Sequence, residues 1–173
     1  MSSSYSILLG GLREGHHTID FEIDKKFFEK FEESEVKEGS LFANIELDKR
    51  STHLNMIIKV SGSVRVCCDR CLEMFSQPLI SENRLLIKFG KSIEDTDPDI
   101  LSVPIDEYEL DLQQQIYEFI ILALPIKRVH PADKDGKNAC DPVMLKKLEE
   151  LIIEEEKEND PRWDELKKLM NDN

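Results

Sequence analysis

Two cysteines separated by two residues, Cys68 and Cys71, are the side chains of this chain best suited to chemistry. Two thiols at this spacing can bind one metal ion or form a redox pair, and zinc prefers four ligands in a tetrahedral array. The remaining ligand candidates with suitable context are His130 and Cys140, about 60 residues or more beyond the pair, whereas His16, His17 and His53 lie in strand or hairpin contexts. The candidate zinc site therefore consists of Cys68, Cys71, His130 and Cys140.

Two other interpretations of the thiols remain open. A zinc ribbon usually has two close-spaced ligand pairs, and this turn lacks the glycine often found in zinc knuckles. Cys68 could instead be a small apolar core residue and Cys71 a buried turn residue. A thioredoxin-like redox pair would lie at a helix N-terminus within a βαβ unit, whereas this pair follows a strand pattern.

A basic cluster precedes Cys140 in an otherwise acidic chain. It could contact a few phosphates, but the net charge of -13 opposes the approach of nucleic acid and favours cationic partners. The alternative is a solvated loop without a binding function, whose cations balance nearby acidic residues. The cluster consists of Lys127, Arg128, His130, Lys134 and Lys137.

Several functional classes leave no signature in this chain. The sequence has no Gly-x-Ser-x-Gly, no His-Glu-x-x-His and no Walker-type glycine loop, so we expect neither an enzyme nor a small-molecule substrate. It also has no signal-like segment, and no apolar run approaches the roughly 20 residues of a membrane span. We therefore expect a cytoplasmic protein with reduced cysteines and no membrane partner.

Alternating apolar residues predict an antiparallel sheet in the first half of the chain. From Leu54 to Cys68 the apolar residues share one parity, with a bend or bulge expected at Gly62. This parity places Cys68 on the buried face and Cys67 on the outward face. A return arm from Phe75 would place the cysteine turn at a hairpin end. The other predicted strands are Tyr5 to Leu9, Thr18 to Ile23, Leu41 to Leu47 and Ile100 to Ile105.

Helical periodicity dominates the second half, after one short helix capped by Asp24. Asp111 as N-cap and Gln114 at N3 predict a helix that ends at Pro125 and covers the sheet with its apolar stripe. Two Asp-Pro pairs predict two further helices in an acidic tail, starting at Asp141 and Asp160.

The predicted fold class is α+β. A bent antiparallel sheet is covered by one amphipathic helix, and an acidic helical tail follows at the C-terminus. We expect one domain over residues 1–140. Residues 141–173 would form a helical extension that packs on this domain or on a partner.

Four ordered motifs, from about residue 60 to the C-terminus, make the chain similar to the YceD family, which is named for large ribosomal RNA subunit accumulation. The residues that carry the resemblance are Val-Ser-Gly-Ser-Val-x-Val-x-Cys68-x-Arg70-Cys71-Leu72-Glu73, Ile105-Asp-Glu-x-Glu-Leu-Asp111-Leu112, Glu118-x-Ile-Ile-Leu-Ala-Leu-Pro125 and Asp160-Pro-Arg-Trp163-x-x-Leu166.

The resemblance implies a non-catalytic cytoplasmic factor in ribosome biogenesis that supports accumulation or processing of large-subunit ribosomal RNA. Family members commonly carry Cys-x-Arg-Cys, matched here by Cys68, Arg70 and Cys71. Many members have a richer second cysteine cluster, of which this chain keeps only His130 and Cys140.

Two hypotheses about mechanism follow. In the first, the factor contacts ribosomal RNA through its basic loop. In the second, the acidic surface and the helix that carries Trp163 bind a basic ribosomal protein or a maturation nuclease, without direct RNA contact. The candidate RNA- or partner-binding residues are Arg70, Lys127, Arg128, Lys134, Lys137 and Trp163.

Overall fold

Strands form most of the regular structure in the computed structural model, which describes residues 5–90, 100–104, 106–131 and 139–152. The described part of the chain is α+β, as predicted. Its strands are β1 (Ser6–Leu8), β2 (Gly15–Ile23), β3 (Gly39–Lys49), β4 (His53–Cys67), β5 (Met74–Phe89), β6 (Ile100–Val103) and β7 (Glu109–Asp111). Its α-helices are α1 (Lys25–Phe28), α2 (Gln113–Leu122) and α3 (Pro142–Leu151).

The main sheet has five strands in the order β2-β3-β4-β5-β6. Strands β2 to β5 pair antiparallel, as predicted. The prediction of a wholly antiparallel sheet is wrong at its edge, because β6 runs parallel to β5, with Leu86 opposite Ile100 and Phe89 opposite Val103. Alternating apolar residues identify a strand but do not determine the direction in which it pairs with its neighbour. The sheet is therefore mixed.

The hydrophobic core lies on one face of this sheet, because apolar residues alternate along β3, β4 and β5. Met56, Ile58 and Val60 of β4 are fully buried. Helix α2 packs over the same face and buries Ile116 and Ile120. The predicted apolar stripe of this helix thus covers the sheet.

Gly62 lies in the middle of β4 and has a positive φ of 141°. The strand register continues through it, with Leu41 of β3 on one side and Leu79 of β5 on the other. No extra residue is therefore inserted, and a bulge at this position is not observed. The glycine is required because the backbone of β3 approaches it closely.

Side-chain capping of the helices follows the prediction for α1 and departs from it for α2. Asp24 accepts a hydrogen bond from the N–H of Lys26. Asp111, predicted as the N-cap of α2, lies instead in β7, which pairs with β1, and this pairing keeps its backbone extended. Helix α2 begins two residues later, at Gln113, whose N–H donates to Asp111 Oδ1 at 2.9 Å.

Helix α3 begins at Pro142 behind the predicted cap Asp141, which accepts from the N–H of Val143. Met144 and Leu145 are its residues that pack against the core. The helix predicted from Asp160 falls outside the described residues. Within the described part of the chain, every helix is too short or too polar to cross a membrane.

Candidate metal centre

The turn between β4 and β5 holds the close cysteine pair in a hydrogen-bonded knuckle. The N–H of Leu72 donates to the carbonyl of Cys68 at 2.9 Å, and the N–H of Cys68 donates to the carbonyl of Glu73 at 2.9 Å. Leu72 has a φ of 64°. It adopts the left-handed conformation that a glycine usually provides, at a cost of roughly 1–3 kcal/mol. The missing glycine therefore does not prevent the knuckle.

Cys67 and Cys68 divide between solvent and core as the strand parity predicts. Cys68 and Cys71 are buried, whereas Cys67 is exposed. The Cys67 thiol donates to the carbonyl of Leu72 at 3.3 Å. Cys67 thus supports the turn from outside while the other two sulfurs point inward.

All four predicted zinc ligands come together at this end of the sheet, and their ligand atoms lie within 4.8 Å of one another. The Sγ atoms of Cys68 and Cys140 are 3.8 Å apart. His130 Nδ1 is 3.3 Å from Cys71 Sγ and 3.6 Å from Cys140 Sγ. In a zinc tetrahedron with Zn–S bonds of ~2.3 Å, two sulfurs are ~3.8 Å apart and a sulfur and a nitrogen are ~3.6 Å apart. The cluster could therefore hold a metal ion.

Local hydrogen bonds favour a thiolate at Cys68. Burial raises the pKa of this thiol, but backbone N–H groups of Cys71, Arg70 and His130 donate to its sulfur, and their combined effect lowers the pKa below its ordinary value. Burial raises the pKa of Cys140, and the neighbouring sulfurs of Cys68 and Cys71 raise it further. A divalent cation would favour thiolates at these sulfurs, because a coordinating thiol loses its proton.

The donor set and its surroundings fit zinc better than a hard cation. Three sulfurs and one imidazole nitrogen match the ligands that Zn²⁺ prefers, whereas Mg²⁺ and Ca²⁺ prefer oxygen. The ring of His130 packs against Phe75, with 4.7 Å between the ring centroids. This contact helps to orient the imidazole.

Asp69 and Arg128 connect the knuckle to the segment that carries His130. The N–H of Asp69 donates to the carbonyl of Arg128 at 2.7 Å, and the N–H of Arg128 donates to Asp69 Oδ2 at 2.6 Å. The Arg128 side chain forms an ion pair with Glu35, with Nη1 and Oε2 2.7 Å apart. Arg128 thus links three separate parts of the chain.

Asp69 and Glu35 were not predicted from the sequence. An aspartate in a turn is a common acceptor for backbone N–H groups. Its partner Arg128, however, is 59 residues away. No local spacing could therefore have revealed this pair.

The other predicted binding residues are more scattered. Arg70 is half-buried in the knuckle, Lys127 is exposed, and Arg128 is half-buried in its ion pair with Glu35. The predictions for Lys134, Lys137 and Trp163 lie outside the described residues.

The burial of the cysteines predicts their order of alkylation. Iodoacetamide at neutral pH is expected to modify Cys67 at least about tenfold faster than Cys68, Cys71 or Cys140, because only accessible thiols react quickly. Mass spectrometry of peptides from a time course measures this order. Cys67→Ser should abolish the fast phase, and rapid modification of two or more cysteines in the folded protein would contradict the arrangement.

Comparison with known protein families identifies a match. The model of the family described as "Large ribosomal RNA subunit accumulation protein YceD" matches residues 56–170, which is more than half of the 173 residues. The match includes the knuckle, His130 and Cys140. Searches of curated proteins and of solved structures found no significant match.

Proposed function

Because the chain belongs to the YceD family, we propose that it is a non-catalytic, cytoplasmic factor that supports accumulation or processing of large-subunit ribosomal RNA. The family match over residues 56–170 is the observation that carries this proposal. The general connection to the ribosome comes from the family. The absence of catalysis and the mode of action belong to the proposal.

In this proposal the metal centre has a structural role. Cys68, Cys71, His130 and Cys140 would supply all four positions of a zinc tetrahedron, whereas catalytic zinc sites keep one position for water or substrate. The metal would hold the segment around His130 against the hairpin end. Binding of a partner, rather than turnover of a substrate, is the activity that such a scaffold supports.

The charges of the described residues favour contact with a protein over direct contact with RNA. Among the cations of the basic cluster, Arg128 is paired with Glu35, so its charge is not free to bind a phosphate. The net charge of -13 also opposes the approach of RNA. A protein-mediated action is therefore the second candidate mechanism, beside RNA contact through the basic loop.

Affinity purification tests the proposed function directly. Tagged protein is expected to co-purify precursors of large-subunit ribosomal RNA, and depletion is expected to lower the ratio of large to small subunit RNA. An unchanged ratio together with no enrichment of precursors over a mock purification would overturn the proposal.

A retention assay with large-subunit RNA at two salt concentrations separates the two mechanisms. Direct contact predicts that charge reversal of Lys127, Lys134 and Lys137 weakens retention by about tenfold at low salt, because each lost cation removes one phosphate contact. Arg128 stays unchanged because its reversal would break the Glu35 ion pair. The matched control reverses three exposed cations elsewhere, namely Lys26, Arg65 and Arg84. No retention at either salt concentration would leave the protein-mediated mechanism.

A further inference from the structure

A groove lies between the loop that follows α1 and the C-terminal end of α2. It encloses about 290 Å³, and its lining on the helix side is largely apolar. Tyr117, Ile121 and Leu124 line this side and are half-buried. Ile126 and Arg128 extend the same wall towards the metal centre, and the opposite wall is the loop from Glu33 to Val36.

Large apolar side chains are unusually exposed beside this groove. Ile126, which lines it, has a relative exposure of 102%, and Leu122 on the same end of α2 has 78%. An exposed apolar side chain at an apolar groove can be covered by a partner, and this is favourable because it removes apolar surface from water. The groove therefore offers a place for an apolar side chain of a partner.

The groove is held in shape before any partner arrives. The rings of Phe31 and Tyr117 stack with centroids 3.8 Å apart. In the facing loop, the Ser34 hydroxyl donates to the carbonyl of Val36 and accepts from its N–H. A preformed groove loses little conformational entropy on binding.

The loop beside the groove is acidic. Among the described residues, Glu32 and Glu33 make no ion pair, and Glu35 is held by Arg128. The two nearby lysines keep their charge but form no ion pair with these carboxylates, since Lys30 donates to Gln113 and Lys37 to backbone carbonyls. Residues 29–37 hold four glutamates and two lysines, so the loop stays net negative. Two unpaired carboxylates beside an apolar groove complement a peptide that combines cations with an apolar residue.

We propose that this acidic groove binds a basic, amphipathic segment of a protein partner, with an apolar side chain against Ile126 and cations at Glu32 and Glu33. The inference rests on the proposed function, because it identifies the surface through which the protein-mediated mechanism would act. RNA fits poorly, because phosphates would meet these carboxylates. A second copy would bring the same acidic loop, and residues 153–173 carry more acidic than basic residues, so charge disfavours both.

The groove and the metal centre share Arg128. Its backbone is bonded to Asp69 of the knuckle, and its side chain holds Glu35 of the facing loop. Both walls of the groove are thus connected to the hairpin end.

Fluorescence anisotropy with the full chain tests the groove. The probe is a labelled synthetic peptide of about 14 residues, built from lysine and leucine with leucines at helical spacing. Its control replaces every leucine by serine. We expect Ile126→Ser, and separately Glu32→Lys with Glu33→Lys, to weaken binding of the lysine-leucine peptide by about tenfold. The matched controls Ile80→Ser and Glu22→Lys with Glu82→Lys, at exposed positions outside the groove, should change binding less than about twofold.

Three results would overturn the proposal. Equal losses in the groove variants and their controls would show non-specific attraction of cations. Light scattering that finds a dimer dissociated by Ile126→Ser would identify a second copy as the occupant. Trp163 is the single tryptophan of the chain. A shift of its emission in Ile126→Ser relative to wild type, both without peptide, would identify the chain's own C-terminal segment as the occupant of the groove.

Co-purification with the same variants separates this proposal from the proposed function. If wild type and Ile126→Ser both enrich large-subunit precursors equally, the groove proposal fails and the proposed function stands. If the groove binds the peptide as expected but wild type enriches no precursors, the proposed function fails instead.

Discussion

Replacing Cys68 and Cys71 together by serine is expected to abolish metal binding and to lower the midpoint of thermal unfolding by about 10 °C or more. Serine oxygens are poor ligands for zinc, so the two remaining donors, His130 and Cys140, could not retain the ion. Losing the metal would release the segment around His130 from the hairpin end. Elemental analysis of the purified protein and a thermal melt measure both effects.

The neighbouring thiol provides a matched control for this variant. Cys67→Ser removes a sulfur one residue away, but that sulfur is exposed and lies outside the cluster. It should keep about one equivalent of zinc and most of the stability. A strong chelator should lower the melting temperature of Cys67→Ser but not that of the double variant.

The competing interpretation of the cysteines as core residues makes a different prediction. Purified wild type would then contain less than about a tenth of an equivalent of zinc, and a chelator would leave its melting temperature unchanged. That pair of results would dismiss the metal centre while leaving the sheet intact.

Gly62→Ala is expected to destabilise the protein by about 3–5 kcal/mol. A Cβ at this position would overlap the carbonyl oxygen of Ser40 and lie 2.8 Å from Leu41 Cα. These are backbone atoms of β3, so they cannot move aside as a flexible side chain would. The φ of 141° adds strain that an alanine cannot relieve without rotating the strand. Urea unfolding monitored by circular dichroism gives the free energy of unfolding.

Two other glycines separate the contributions of strain and overlap. Gly15 also has a positive φ, but an added Cβ would meet no atom within 4 Å. Gly15→Ala should therefore cost only about 1–3 kcal/mol. Gly11 has an open surrounding and no positive φ, so Gly11→Ala should be nearly neutral. A Gly62→Ala variant no less stable than Gly15→Ala would contradict the close approach of β3 to β4.

Much of the fold follows from patterns that a sequence displays directly. Alternation along β4 predicted both the strand and the opposite orientations of Cys67 and Cys68, because side chains on a strand point to alternating faces. The predicted ligand set also comes together in the structure. It could be predicted because the chain offers few other thiols or imidazoles. Strong local periodicity and scarce residue types were sufficient for these predictions.

Other features depend on contacts that no local pattern encodes. The parallel pairing of β6 with β5 is a contact between strands, and the shift of the α2 start depends on pairing of Asp111 with Ser6. Both are tertiary effects that override capping and hairpin preferences. The acidic groove likewise requires a loop and a helix that are far apart in the chain.

The spacing of the four candidate ligands bears on the order in which the protein matures. Cys68 and Cys140 are 72 positions apart, so a cross-link between them would remove roughly 4 kcal/mol of unfolded-chain entropy. During synthesis the hairpin strands emerge well before His130 and Cys140, and early segments can fold first. An ion bound by the nascent cysteine pair would have only two protein ligands until His130 and Cys140 have been synthesised. Completion of the centre would then mark the arrival of the C-terminal half.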